Sequence, residues 1–211
     1  MRRGRAPPAC IQAASGPEQS RMVDQPSLFK SEAAPEGFRY EADFVGEEEE
    51  HALAFEIERL PFRAFQFHGF EGKRRVVSFG WRYDFNEAKL LEAPAIPELF
   101  QPLRAKAARF AALDADALQQ LLVTEYAPGA AIGWHKDRPI FADVIGVSLL
   151  APCTLRFRRK AGRAGSGPRF ASRRAPSISC GDPRALWEHS IPAMDALRYS
   201  LTFRSFRPVG R

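Results

Sequence analysis

Four histidines occur in the 211-residue chain, and one of them, His135, stands two residues before Asp137 in GWHKDRPIF (133–141). On a strand, side chains alternate, so His135 and Asp137 project to the same side. A further imidazole, His189 of WEHSIP, follows 52 residues after Asp137 at the start of another strand-like stretch. Two imidazoles and one carboxylate on one face of a metal leave three positions open, the arrangement of non-haem Fe(II) oxygenases, whose open positions accept a bidentate co-substrate and O2. HxD by itself is a short motif, and a solvated His–Asp pair at a strand end is the plainer alternative. His51 falls on a glutamate-led helix, where exposure is expected. His68, among the aromatics of FQFHGF, reads as packing or substrate surface rather than ligand.

The last strand-like stretch, RYSLTFR (198–204), carries a second chemical signal. Alternation puts Arg198, Ser200, Thr202 and Arg204 on one face and Tyr199, Leu201 and Phe203 on the other. A solvated basic face is one reading. The other follows from length: six strand residues span ~20 Å, and two arginine arms leaning together leave a gap about the size of a small dicarboxylate. Arginine is the side chain suited to bidentate carboxylate binding. Metal ligands upstream and such a clamp downstream imply 2-oxoglutarate as co-substrate.

These residues need a scaffold. The chain is long enough for one sizeable domain, with 45% hydrophobic and 27% charged residues, ordinary globular values. Net charge is +6, compatible with a polyanionic partner. The three cysteines (Cys10, Cys153, Cys180) form neither CxxC nor a disulfide framework. No apolar run approaches a membrane span, and MRRGRAPPAC lacks the apolar core of a secretory signal. A cytoplasmic, monomeric protein without membrane contact is expected.

Residues 1–36, rich in Pro, Ser, Gly and Arg, read as a flexible arm, with Met22 a possible true start. Residues 37–211 read as one domain. GFRYEADFV begins it as a short strand, and the four glutamates after Gly46 open a helix with Leu53, Phe55 and Ile57 on its buried side. Strands follow around a turn at Gly72, then an amphipathic helix over 97–111 and a short helix leading into LLVTEYA. The rest is short strands: AIGWHKD, DVIGVSLL, TLRFRR, EHSIP and LRYSLTFRSF. Helices first and many strands later predict an α+β protein with a jelly-roll core. Residues 160–183 break the pattern as a long polar Gly/Pro/Ser-rich loop where a core strand is needed. Compensating frameshifts in the coding sequence would produce such a segment; the same residues found in frame on resequencing would exclude them.

Together, LLVTEYAPGAAIGWHKD, VIGVSLL, LRFRR, WEHSIP and LRYSLTFR resemble the AlkB family of Fe(II)- and 2-oxoglutarate-dependent dioxygenases, with likeness from about Phe38 to Pro208. The resemblance implies a double-stranded β-helix with N-terminal helices and a nucleotide-recognition lid over about 62–86. It implies His135, Asp137 and His189 as iron ligands, Arg198 on the distal carboxylate of 2-oxoglutarate and Arg204 near its metal-proximal end. Tyr126 matches a tyrosine that hydrogen-bonds the co-substrate. Thr124 stands where the family usually has Asn, and Ser200 where it has Asn or Ser. The implied reaction consumes O2 and 2-oxoglutarate, gives succinate and CO2, and hydroxylates a C–H bond. On an N-methyl group the product releases formaldehyde.

In KRRVVSFGWRYDF, Phe79, Trp81 and Tyr83 alternate onto one face beside Lys73, Arg74, Arg75 and Arg82, suiting a flipped or single-stranded nucleotide, with Trp81 or Tyr83 as base platform. An aromatic core with solvated arginines is the alternative for each. Several repair members carry an acidic residue two positions after the HxD aspartate, and here that position is Pro139. Methylated DNA or RNA is the expected substrate. A protein or small-molecule substrate, or an impaired nucleic-acid-binding relative, are the alternatives.

Overall fold

Alternation of apolar and polar residues over 120–126, 141–149 and 198–206 lets each strand bury one face and give the other to a cleft. In the computed structural model, which describes residues 37–67, 69–84, 86–159, 169–172, 177–180 and 187–208, these stretches are strands. Strand β1 (Phe38–Glu41) precedes helix α1 (Glu47–Ile57), and β2 (Arg63–Phe67), β3 (Phe70–Phe79), β4 (Trp81–Asp84) and β5 (Lys89–Glu92) follow. A 3-10 turn, Glu98–Phe100, leads into helix α2 (Gln101–Ala111), and another, Ala115–Ala117, precedes β6 (Gln120–Tyr126). Then come β7 (Ile132–His135), β8 (Phe141–Leu149), β9 (Cys153–Arg159), β10 (Arg169–Ser172), β11 (Ser177–Cys180), β12 (Trp187–Ile191) and β13 (Arg198–Phe206).

A seven-stranded sheet runs β1-β11-β8-β13-β6-β3-β2, a four-stranded sheet β10-β9-β12-β7, and β4 pairs with β5 alone. Helices α1 and α2 cover one face of the larger sheet: Leu53, Ile57, Leu103 and Ala107 pack with Leu121, Val123, Ile145, Val147, Leu201 and Phe203. A smaller cluster, including Tyr126, Leu155, Phe157 and Ile191, packs between strands of the two sheets. The α+β class with a jelly-roll core is what the chain adopts. Among the described residues no helix is long and apolar enough to cross a membrane.

Several local expectations are corrected. Phe55 is 56% exposed, with the Arg59 guanidinium over its ring. Its place on the buried side goes to Glu50, whose Oε1 accepts the Leu150 N–H at 2.5 Å. Leu150 has a left-handed backbone, φ 71, so the carboxylate fixes a conformation that costs a branched residue energy. The turn between β2 and β3 lies at Gly69, φ 80, not at Gly72, which sits inside β3. Segment 160–183 is not wholly loop: β11 pairs antiparallel with β8 and β1, and β10 pairs with β9. The remainder of that segment and the arm 1–36 lie outside the described residues.

Candidate metal and co-substrate site

The pairing of β12 with β7 sets His189 directly across from His135, and the two rings lie 4.1 Å apart. Asp137 follows the end of β7, and its Oδ2 is 3.8 Å from His189 Nε2. His135 Nδ1 lies 2.9 Å from the Gly133 carbonyl. That oxygen can only accept, so Nδ1 carries the proton and Nε2 keeps its lone pair. The three expected ligands are thus brought together. Cis donors on an ion held at about 2.1 Å lie about 3 Å apart, so the His189–Asp137 pair must close further to share one. Among the described residues no three His, Cys, Asp or Glu side chains are gathered tightly enough to hold an ion as they stand. The donor chemistry, two imidazoles and a carboxylate, fits Fe(II).

Electrostatics favours ligating protonation states. Burial pushes the His189 imidazole down to about 4, against the pull of Asp137. Burial also lowers His135, helped by the cations Arg74 and Arg204 and opposed by the Gly133 carbonyl and Asp137. Burial would raise Asp137, but Arg204 and both imidazoles outweigh it and leave the carboxyl below its ordinary value. Near neutral pH both rings are neutral and the carboxylate is ionised, the forms that bind a metal.

β13 supplies the second half of the site. Ser200 lies between Thr124 on β6 and Ser148 on β8, and Arg198 lies opposite Tyr126. Arg198 is 3% exposed. Its Nη2 and Nε donate to Ser148 Oγ at 2.6 and 3.2 Å, its guanidinium lies over the Tyr126 ring, and its buried Nη1 has no partner among the described residues. Arg204 donates through Nη1 to Gln120 Oε1 at 3.3 Å and through Nη2 to Asp137 Oδ1 at 3.4 Å. Its buried Nε is likewise without a partner among the described residues. Burying a cation without a counter-charge costs several kcal/mol, on the order of the full penalty for an unpaired ion. Arg198 has no carboxylate partner among the described residues, and Arg204 shares only Asp137; their unpartnered nitrogens on one strand suit an anion.

The two sheets enclose a cleft of about 1670 Å³, lined by His135, Asp137, His189, Thr124, Tyr126, Arg198, Ser200 and Arg204. The expected substrate residues divide. Tyr83 and Arg82 line the cleft, with Arg138 over the Tyr83 ring and Arg82 paired to Asp84 at 3.3 Å. Trp81 turns instead against Phe206, ring centres 6.0 Å apart. Phe79 is 7% exposed and packs in the helix-side core beside Phe100, while also contributing to the cleft lining. The alternation assumed for 79–83 breaks at Gly80, φ 72, where a Cβ would stand 2.1 Å from the Gln119 carbonyl. Only glycine fits there. Arg75 also faces the helix side, its fork on Glu125 at 2.7 Å twice.

Arg74, one of the expected cations, faces the cleft. Two other cleft residues, Ser148 and Gln120, are not among the expected ones: Ser148 is the lone hydroxyl in the apolar run VIGVSLL, and Gln120 the first of four alternating residues on β6.

Comparison with known proteins gives the family and the fold. The model of the 2OG-Fe(II) oxygenase superfamily matches residues 61–204, and the chain belongs to that superfamily of dioxygenases. In fold it is similar to a solved structure described as "The structure of OsALKBH1", with a TM-score of 0.64, 14% identity, and coverage of 82% of this chain and 98% of the other. That likeness places the fold with an AlkB homologue. No curated protein matches in sequence.

Proposed function

We propose that the protein is an Fe(II)- and 2-oxoglutarate-dependent dioxygenase that oxidatively demethylates alkylated bases in single-stranded or flipped-out nucleic acid. One observation carries the co-substrate assignment: the unpartnered buried Nη1 of Arg198 and Nε of Arg204, on one face of one strand. Arg198, held by Ser148, takes the distal carboxylate. Arg204, beside Asp137, faces the metal-proximal end, and the Tyr126, Thr124 and Ser200 hydroxyls supply hydrogen bonds between. His135, Asp137 and His189 hold the metal. When bound there, Fe(II) supplies O2 activation coupled to decarboxylation of 2-oxoglutarate. The chain's own work is to orient the co-substrate, keep the ligands deprotonated and shield the reacting carbon between two sheets.

The substrate assignment rests on the cations and aromatics of the same cleft, Arg74, Arg82, Arg138, Phe65 and Tyr83, a lining suited to phosphates and bases. Succinate and formaldehyde release with Fe(II), 2-oxoglutarate and a methylated single-stranded oligonucleotide tests the whole. Stimulation by the oligonucleotide and its loss in His135→Ala are expected. Turnover indifferent to the oligonucleotide would move the chemistry to a protein or small-molecule substrate.

A further inference from the structure

Gln120 is a buried polar side chain, 2% exposed, at the first position of β6 and directly across from Arg204 on β13. Its Oε1 accepts from Arg204 Nη1 at 3.3 Å, and its Nε2 donates to the Trp81 carbonyl at 2.9 Å. A guanidinium only donates and a main-chain carbonyl only accepts, so a single orientation of the amide serves both neighbours. The carbonyl is itself fixed, because the Gly80 backbone just before it pairs with Pro94 and Ala93. Arg204 lies over the Phe141 ring and gives its second terminal nitrogen to Asp137 Oδ1 at 3.4 Å. Both contacts are long beside the ~2.7–2.9 Å usual for a guanidinium on a carboxylate. The arginine is strung between a neutral acceptor and a charged one, with Nε bound to neither.

We propose that Gln120 is a positioning residue that divides Arg204 between the metal ligand Asp137 and the co-substrate. This rests on the Fe(II) and 2-oxoglutarate reading above. A planar fork beside a lone carboxylate closes onto both of its oxygens. Gln120 prevents that closure by holding Nη1 away from Asp137. Asp137 Oδ2, the oxygen toward His189, stays open to a metal, and the guanidinium stays open to an anion. A neutral acceptor does this without cancelling the charge of Arg204. A carboxylate in its place would take the fork for itself, and a hydrocarbon would release the fork to Asp137. The two substitutions therefore separate metal binding from co-substrate binding, which a loss of packing does not do.

The test uses the full chain and two calorimetric titrations, Mn(II) alone and then 2-oxoglutarate onto the Mn(II)-loaded protein. In Gln120→Leu, Arg204 closes on Asp137, so Mn(II) affinity should fall about ten- to a hundredfold, and 2-oxoglutarate affinity with it. In Gln120→Glu, the added carboxylate draws Arg204 off Asp137 and brings negative charge to the site. Mn(II) should then bind at least as tightly as in the parent protein, while 2-oxoglutarate binding weakens about tenfold or more. Unchanged Mn(II) affinity in Gln120→Leu, or an equal loss of Mn(II) in both variants, overturns the role of Gln120 and leaves the co-substrate reading intact. If Gln120→Leu does not fold, Gln120→Glu decides alone: loss of the co-substrate only upholds the role, and parallel loss of metal and co-substrate overturns it. A parent protein that binds Mn(II) but no 2-oxoglutarate, or neither, overturns the co-substrate reading and this role together.

Discussion

Two neighbouring rungs of the seven-stranded sheet show how differently its faces treat polar groups. In one, Arg75, Glu125, Tyr199 and Leu149 lie side by side across β3, β6, β13 and β8. Here the arginine and glutamate neutralise each other, and Tyr199 stacks on Phe62. The next rung, Val76, Thr124, Ser200 and Ser148, faces the cleft, where Arg198 and Arg204 keep unpaired nitrogens. The helix side is closed, with its charges paired, as a folded core requires. The cleft side keeps two buried arginine nitrogens without partners among the described residues, and such a departure belongs to a site that receives a ligand.

Arg198→Met should break the contrast most sharply. It removes charge-assisted hydrogen bonds worth about 1.5–3 kcal/mol each, so kcat/KM for 2-oxoglutarate should fall about a hundredfold or more. Replacing an unpaired buried cation by an apolar side chain is often neutral or stabilising, so the thermal midpoint without co-substrate should hold or rise. A fall in both would make Arg198 part of the core rather than of a site. Three residues further along β13, Leu201→Ala should do the reverse. Leu201 is fully buried on the helix side, and its truncation should cost about 2–5 kcal/mol in denaturant unfolding while leaving the KM for 2-oxoglutarate unchanged in the folded fraction.

How much of this was legible follows from the physics of each element. A strand's period of two depends only on backbone geometry, so RYSLTFR disclosed both faces of β13 without any knowledge of its neighbours. His135 and His189 could be matched for chemistry, but their direct juxtaposition depends on the β7–β12 register, a tertiary fact. The same limit explains the misplaced residues. Gly80 resets the chain between β3 and β4, so Phe79 enters the core although counting by twos grouped it with Trp81 and Tyr83. Arg74 and Arg75 are chemically identical neighbours, and only the pairing of Arg75 with Glu125 decides which of them faces the cleft. In α1, a run of glutamates hid the one carboxylate that is buried, because its partner Leu150 lies far along the chain.

Ser148→Ala sharpens the comparison from inside the cleft. Ser148 lines the cleft and holds Arg198, so its loss frees the guanidinium without removing it. A cost of about 1–2 kcal/mol should appear as a rise in KM for 2-oxoglutarate of about tenfold, with kcat much less affected. An equal fall in kcat would mean that Ser148 meets the reacting groups directly.

The smallest effect is expected from Arg75→Ala, and its smallness is informative. Arg75 and Glu125 form a bidentate pair, but the arginine side chain is 53% exposed against 11% for the glutamate, and such pairs contribute about 0–1 kcal/mol. The loss should approach the upper end of that range, because the less exposed partner is left behind. Differential unfolding should register it, while turnover and the KM for 2-oxoglutarate should match the parent protein. A turnover defect in Arg75→Ala without loss of stability would mean that the helix-side face also takes part in substrate binding, and the division between a closed face and a receptive one would fail.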